Sequence, residues 1–109
     1  MRNDSIIQVV TTVDSELEGD RMASEAVIRK LAACAQVLGP ITSHYRWKGE
    51  MRREKEWMVL FKTSSSLESE LYGLIDEMHP YETPELISLP ISSVHPSYLQ
   101  WIGSGLREQ

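Results

Sequence analysis

The segment HPYETPE, residues 79–85, places an imidazole, a phenol and two carboxylates within seven positions. Imidazole is the commonest metal-binding side chain, and carboxylates offer hard metal ligands or anchors for a cationic ligand. Pro80 and Pro84 lack a backbone N–H, fix their own φ angles, and push the preceding residue toward extended geometry. The segment is therefore predicted to be a shaped loop between a helix and a strand. It serves either as a tight connection alone or as a functional loop on a rigid scaffold.

Composition narrows the class of protein that can carry this loop. The chain has 109 residues, 41% of them hydrophobic and 25% charged, which is typical of one globular domain spanning residues 1–109. The net charge of −5 argues against nucleic-acid binding, because contact with phosphates requires a basic surface. The one basic cluster, within residues 48–55, alternates with glutamates, which is typical of a solvated strand or hairpin.

Targeting signals and cysteine usage indicate where the protein resides. No apolar run approaches the roughly 20 residues of a membrane-spanning helix, and the N-terminus lacks a signal-peptide pattern. Cys34 is the single cysteine, so no disulfide can form within the chain. We expect a protein without membrane contact in a reducing compartment, most simply the cytoplasm.

Hydrophobic periodicity predicts the order β-α-β-β-α-β-α. Ser15 with Glu18 and Ser65 with Glu68 form capping boxes at the starts of the first two helices. The predicted strands are residues 6–12, 35–45, 56–63 and 85–91, and the last helix covers residues 96–106. This is the split βαβ, or ferredoxin-like, α+β arrangement with an extra C-terminal helix. The third strand is apolar on both faces, so it is central or lies under an interface.

Short segments along the chain carry a family resemblance through their shared order and spacing. They are LAAC at 31–34, ITS at 41–43, Tyr45, Trp47, Gly49, Glu56, Lys62-Thr63, HPYETPE at 79–85, LPI at 89–91, Tyr98-Leu99 and Trp101. In this order they resemble the CutA-type divalent-cation tolerance proteins over nearly the whole chain.

The resemblance implies a ferredoxin-like fold that assembles as a tight homotrimer, with β-sheets meeting across the subunits. It also implies tolerance of copper and other divalent cations, with copper binding in some members and no established enzymatic reaction. The architecture is similar to nitrogen-regulatory signalling trimers, which bind small effectors in clefts between subunits. Three hypotheses follow: a weak binder of copper or another divalent cation, a small-molecule sensor, or a structural scaffold.

Three residues are candidate metal ligands: Cys34, His79 and Glu82. A thiolate suits soft Cu(I), and borderline Zn(II) or Cu(II) accepts it together with imidazole. The alternative for Cys34 is a small buried hydrophobe, and the alternative for His79 is a helix C-terminal residue favoured by the macrodipole. Where some relatives carry a further cysteine, this chain has Thr11 and Thr12, which excludes a site with several thiolates in one subunit.

A second set is predicted to line a cleft or an interface. Its members are Tyr45, Trp47, Glu56, Lys62, Tyr81, Glu85, Tyr98 and Trp101. Lys62 lies in an otherwise apolar strand and is expected to pair with a carboxylate such as Glu85. Aromatic side chains with polar edges favour interfaces, and trimer packing is the preferred role of Trp47.

Catalytic motifs are absent from the sequence. It contains no Gly-rich phosphate loop, no strand-Ser-helix elbow, and no HExxH or CxxC motif. Cys34 and His79 would form a nucleophile-base pair only with a third, orienting group. The sequence therefore predicts a protein that is not an enzyme.

Overall fold

The order of helices and strands in the computed structural model, which describes residues 5–108, is the order predicted from the sequence. The strands are β1 (Ile6–Val13), β2 (Cys34–Trp47), β3 (Glu50–Ser64) and β4 (Leu86–Pro90), and the helices are α1 (Glu16–Ile28), α2 (Glu68–Met78) and α3 (Pro96–Ser104). The strands pair antiparallel in the order β2-β3-β1-β4, which confirms the ferredoxin-like α+β prediction. Residues 1–4, to which the signal-peptide prediction applies, lie outside the described part.

The core lies between one face of the sheet and the helices α1 and α2. Val9 and Val13 of β1 and Phe61 of β3 are fully buried there against Met22 of α1 and Leu71 of α2. Because side chains alternate along a strand, the residues between them point to the opposite face. A smaller cluster of Ile6, Ala33 and Ile102 attaches α3 to the other part of the sheet.

The two capping boxes behave differently. Ser15 accepts a hydrogen bond from the N–H of Glu18 at 3.1 Å, as predicted. The predicted capping box of Ser65 and Glu68 does not form, because a short 3₁₀ helix, Ser65–Leu67, precedes α2. Leu67 is therefore the N-cap residue of α2. Ser65 instead contacts Ser5 through its side chain and through its backbone N–H.

A long β2–β3 hairpin extends beyond the rest of the sheet. β1 pairs with residues 57–64 of β3, so residues 50–56 pair with β2 alone. We call residues 41–56 the projecting hairpin. Its turn uses positive φ angles at Lys48 (50°) and Gly49 (81°), as predicted for the glycine. The molecule accordingly measures 46 × 25 × 21 Å.

The projecting hairpin begins at an irregularity in β2. The pairing register shifts between Leu38 and Ile41, around a cis Gly39–Pro40 peptide bond. A Cβ at Gly39 would lie 2.7 Å from Cδ1 of Trp57, so the backbone passes too close to the indole for any side chain. This β-bulge matches the predicted bend at Gly39-Pro40.

The sheet face away from α1 and α2 carries exposed apolar side chains. Leu38, Ile87 and Leu89 lie on this face, because their register partners are Met58, Val10 and Gln8. All three are exposed in the single chain. We call this surface the open face.

Candidate ligand-binding cleft

His79 attaches the HPYETPE loop to strand β1. Its Nε2 lies 2.9 Å from the carbonyl oxygen of Thr12, and because a carbonyl only accepts, Nε2 carries the hydrogen. Its Nδ1 accepts the backbone N–H of Tyr81 at 3.1 Å. Thr11 Oγ1 lies 3.0 Å from Nε2 and donates to the carbonyl oxygen of Glu85 at 2.6 Å. Both ends of the loop are thereby held against the end of β1.

The electrostatic environment of His79 favours the neutral imidazole. Burial lowers the pKa of His79 below its usual 6.5, although the hydrogen bond to Thr12 and the charges of Asp14, Asp76 and Glu56 oppose the shift. The neutral ring has one donor and one acceptor nitrogen, and both are already engaged within the subunit. Binding a metal ion through Nδ1 would require breaking the bond to Tyr81.

Tyr81 and Glu56 connect the loop to the projecting hairpin. The phenol of Tyr81 donates to Oε2 of Glu56 at 2.6 Å. Burial and this hydrogen bond strongly raise the pKa of Tyr81, so the phenol stays protonated. Glu56 is only 7% exposed. Its other oxygen, Oε1, accepts no hydrogen bond from any group in residues 5–108, and no ion pair there includes Glu56. Because no buried side-chain oxygen among these residues lacks a partner, Oε1 keeps contact with solvent.

A cleft of about 640 Å³ lies between the projecting hairpin and the loop. The hairpin contributes Ser43, His44, Tyr45, Trp47, Arg52 and Glu56. The loop and β1 contribute Tyr81, Glu82, Thr83, Glu85 and Thr12. The structure therefore gathers several predicted site residues in one place: Tyr45, Trp47, Glu56, Tyr81, Glu82 and Glu85.

Some lining residues were not singled out by sequence reasoning. Arg52 faces Tyr45 across the hairpin and forms an ion pair with Glu50 at 3.6 Å. Only the hairpin register, set by the turn at Lys48 and Gly49, could have revealed that position. Ser43 shares the strand alternation of Tyr45 and Trp47, and that signal was available in the sequence.

The remaining predicted residues lie elsewhere on the sheet. Cys34 begins β2, and its Sγ lies 3.6 Å from the hydroxyl of Tyr98. This contact raises the pKa of Tyr98, whose ring stacks on Trp101 with centroids 5.5 Å apart. We call Cys34, Tyr98 and Trp101 the Cys34 cluster. Lys62 is the register partner of Cys34 on β3.

The expected pairing of Lys62 with a carboxylate is wrong for the described chain. Its ammonium donates to the amide oxygen of Gln36 at 3.2 Å, and no ion pair within residues 5–108 includes Lys62. The partly exposed ammonium needs no buried counter-charge, because water solvates the rest of it.

The three predicted metal ligands do not share a site within one subunit. Cys34 aligns with Gln8 of β1 across two strand spacings, about 10 Å, whereas His79 contacts Thr11 and Thr12 farther along β1. Glu82 lies in the cleft. In the part of the chain that the structure describes, no group of three or more His, Cys, Asp or Glu residues could hold a metal ion. Metal binding by Cys34, His79 and Glu82 stays a prediction.

The antiparallel sheet, helices α1 and α2 on one of its faces and the cleft beside the hairpin define a small ferredoxin-like α+β domain with a ligand-sized site. The family model described as CutA1 divalent ion tolerance protein matches residues 7–105. The chain therefore belongs to the CutA1 divalent ion tolerance family, which confirms the resemblance found in the sequence.

Individual relatives agree with this assignment. The chain is 40% identical over 99 residues to the Xenopus laevis protein CutA homolog, covering 91% of this chain and 66% of that relative. It is similar to CutA1 from Oryza sativa, with a TM-score of 0.93, 34% identity and 97% coverage of both chains. The periplasmic divalent cation tolerance protein CutA from Archaeoglobus fulgidus gives a TM-score of 0.90 at 29% identity, covering 94% of this chain and 99% of that one.

Helix lengths and polarity bear on membrane contact. None of the helices within residues 5–108 is both long and apolar enough to cross a bilayer. The cytoplasmic location expected from the sequence stays a prediction.

Proposed function

We propose that the protein acts in divalent-cation tolerance, the property that names its family, as a homotrimeric binding protein that catalyses no reaction. Its working site is the cleft between the projecting hairpin and the HPYETPE loop. The observation that supports this most directly is Glu56, whose side chain is mostly buried but lines the cleft with Oε1 unpaired within residues 5–108 and open to solvent. A carboxylate oxygen that meets solvent at the cleft can accept from a ligand that enters there.

Two surfaces support assembly into a trimer. The open face exposes Leu38, Ile87 and Leu89, and an apolar sheet face of this kind is stabilised when another surface covers it. The projecting hairpin is a two-stranded ribbon, which is marginal in water without packing partners. Its exposed Trp47 and Met51 offer that packing. Further copies of the chain satisfy both needs.

The arrangement of Cys34 and His79 supports a function without catalysis. The nucleophile-base pair considered from the sequence, Cys34 with His79, is not assembled within a subunit, since the two residues contact different parts of the sheet. Both nitrogens of His79 are engaged in hydrogen bonds that hold the loop, so the ring serves as a structural anchor.

Copper binding at Cys34 is the second candidate function. The supporting observation is that Cys34 is a free and only partly buried thiol, 3.6 Å from the Tyr98 hydroxyl. A thiolate at such a position suits Cu(I). Because His79 and Glu82 lie elsewhere in the same subunit, additional ligands would come from another subunit or from solvent.

Native mass spectrometry of the protein from copper-supplemented cells tests both candidates together. The proposed function predicts a trimer whose retained or added small ligands are lost in Glu56→Gln and kept in Cys34→Ser. One copper per subunit, lost in Cys34→Ser and kept in Glu56→Gln, would favour the second candidate. Two results together would leave only the scaffold hypothesis. Trp47→Ala would dissociate the trimer, and the trimer would bind nothing in a thermal-shift screen.

A further inference from the structure

We propose that the cleft binds a small organic cation carrying an ammonium group, with Glu56 as its counter-charge and the hairpin aromatics as its walls. This inference rests on the proposed function, because it names the chemical class of ligand for the same cleft. Charge, hydrogen bonding, ring exposure and cavity size support it independently.

The charges around the cleft select against anions. Glu56, Glu82 and Glu85 contribute three carboxylates, whereas Arg52 contributes the one guanidinium among the described lining residues. Arg52 is already paired with Glu50. A phosphate or carboxylate ligand would therefore meet net repulsion, and a cationic ligand would meet net attraction.

Glu56 supplies a specific acceptor rather than a diffuse negative field. Its Oε2 accepts from the neutral phenol of Tyr81, and its Oε1 is available to a donor that enters the cleft. A hydrogen bond between an ammonium and a carboxylate is stronger than one between neutral groups. An ammonium ligand would therefore bind Oε1 more strongly than a neutral donor would.

Aromatic side chains on the hairpin complete a cation-binding environment. Tyr45 and Trp47 line the cleft, and Tyr45 is 41% exposed, so part of its ring remains available for contact. The ammonium of Lys48 lies 5.9 Å from the Trp47 ring centroid, a cation–π contact on the same hairpin. Alkylated ammonium groups gain further from such rings through their apolar surface.

Size distinguishes an organic cation from a bare metal ion. The cleft volume of about 640 Å³ lies in the range of small-molecule sites. No three His, Cys, Asp or Glu side chains within residues 5–108 are arranged to coordinate an ion. A ligand with several heavy atoms can reach Glu56 and the aromatic wall at the same time, which a single ion cannot do.

Isothermal titration calorimetry on the full-length protein tests the inference. The probes are spermidine and choline, each at constant ionic strength, with ATP and zinc chloride as comparison ligands. We expect binding of at least one of the two organic cations. Glu56→Gln keeps an acceptor for Tyr81 but removes the charge, and should weaken that binding about 30-fold.

The matched control is Glu54→Gln, which makes the same charge change at an exposed residue of β3 that does not line the cleft. It should change the affinity by less than about twofold. Tyr45→Leu provides a second test if Glu56→Gln fails to fold, and should weaken binding about fivefold through loss of the ring.

The outcomes separate this inference from the proposed function. Binding of ATP or zinc that depends on Glu56, without binding of either organic cation, would overturn the inference and retain the cleft as the working site. Binding of an organic cation that is unchanged in both Glu56→Gln and Tyr45→Leu would also overturn the inference. Absence of binding by every probe would overturn the inference, and a negative ligand screen beside it would overturn the proposed function.

Discussion

The cleft and the Cys34 cluster lie at different parts of one sheet and use similar residue types in opposite ways. At the cleft, His79, Tyr81 and Glu56 are joined by hydrogen bonds of 3.1 Å or less. At the Cys34 cluster, the thiol and the phenol of Tyr98 share one contact of 3.6 Å near the surface. The difference teaches that residue type is a poor guide to whether a side chain can still bind a ligand. Both ring nitrogens of His79 are used in hydrogen bonds, whereas Oε1 of Glu56 has no partner within residues 5–108.

Replacing His79 with Gln should produce the largest loss of stability at the cleft. The change disturbs the bond from Nε2 to Thr12 and the bond from Tyr81 to Nδ1. We expect the free energy of unfolding to fall by about 2–3 kcal/mol, the sum of two partly buried hydrogen bonds. Urea unfolding at fixed protein concentration measures it. His44→Gln, at an exposed position, is the control.

The same pair of variants should differ in pH dependence. Because the pKa of His79 in the folded protein lies below 6.5, the unfolded chain takes up its proton first as the pH falls. The stability that neutral His79 provides is therefore complete above about pH 6.5 and is lost on acidification toward the folded pKa, by at most about 1.4 kcal/mol per pH unit. His79→Gln should show a shallower acid slope than the wild type, and an unchanged slope would contradict the assignment.

Tyr81→Phe should give the next largest effect. It removes the donor to Glu56 and leaves a carboxylate that is 7% exposed without a partner in residues 5–108. A loss of about 2 kcal/mol is expected. Tyr45→Phe is the matched control at an exposed residue of the hairpin, and equal losses in the two variants would show that the bond to Glu56 contributes nothing specific.

Tyr98→Phe should have the smallest effect and thereby sharpen the comparison. It removes the contact with Cys34 but keeps the stacking on Trp101, at an exposed site. The expected loss is below about 0.5 kcal/mol by the same urea measurement. A loss as large as that of Tyr81→Phe would mean that the hydrogen bonds of the two regions contribute equally to stability.

The fold was largely predictable, because periodic apolar residues identify strands and helices that pack on a core. The start of β3 was predicted six residues too late, at residue 56 in place of residue 50. The missing part consists of charged residues, such as Arg53 and Lys55, that pair only with β2 and face solvent. Their alternating charges indicated a solvated strand or hairpin, but hydrophobic periodicity could not join that ribbon to β3, because the ribbon buries so little of its own surface.

The site was predictable only in part, because it depends on contacts between residues far apart in sequence. The loop geometry followed from Pro80 and Pro84, and Glu56 was recognised as a charged residue in an apolar strand. The hydrogen bond between Tyr81 and Glu56 spans 25 positions, and the contact between Cys34 and Tyr98 spans 64. Such pairings depend on strand register and on where a loop returns, which a single sequence does not specify.

The projecting hairpin has a thermodynamic consequence if the chain assembles as proposed. The same ribbon forms one wall of the cleft and presents Trp47 and Met51 to other copies. Ligand binding and assembly would then be linked equilibria. By reciprocity, the factor by which assembly strengthens ligand binding equals the factor by which ligand strengthens assembly. A cell could then read the ligand concentration as a change in the fraction of assembled protein, with no change in the fold of any subunit.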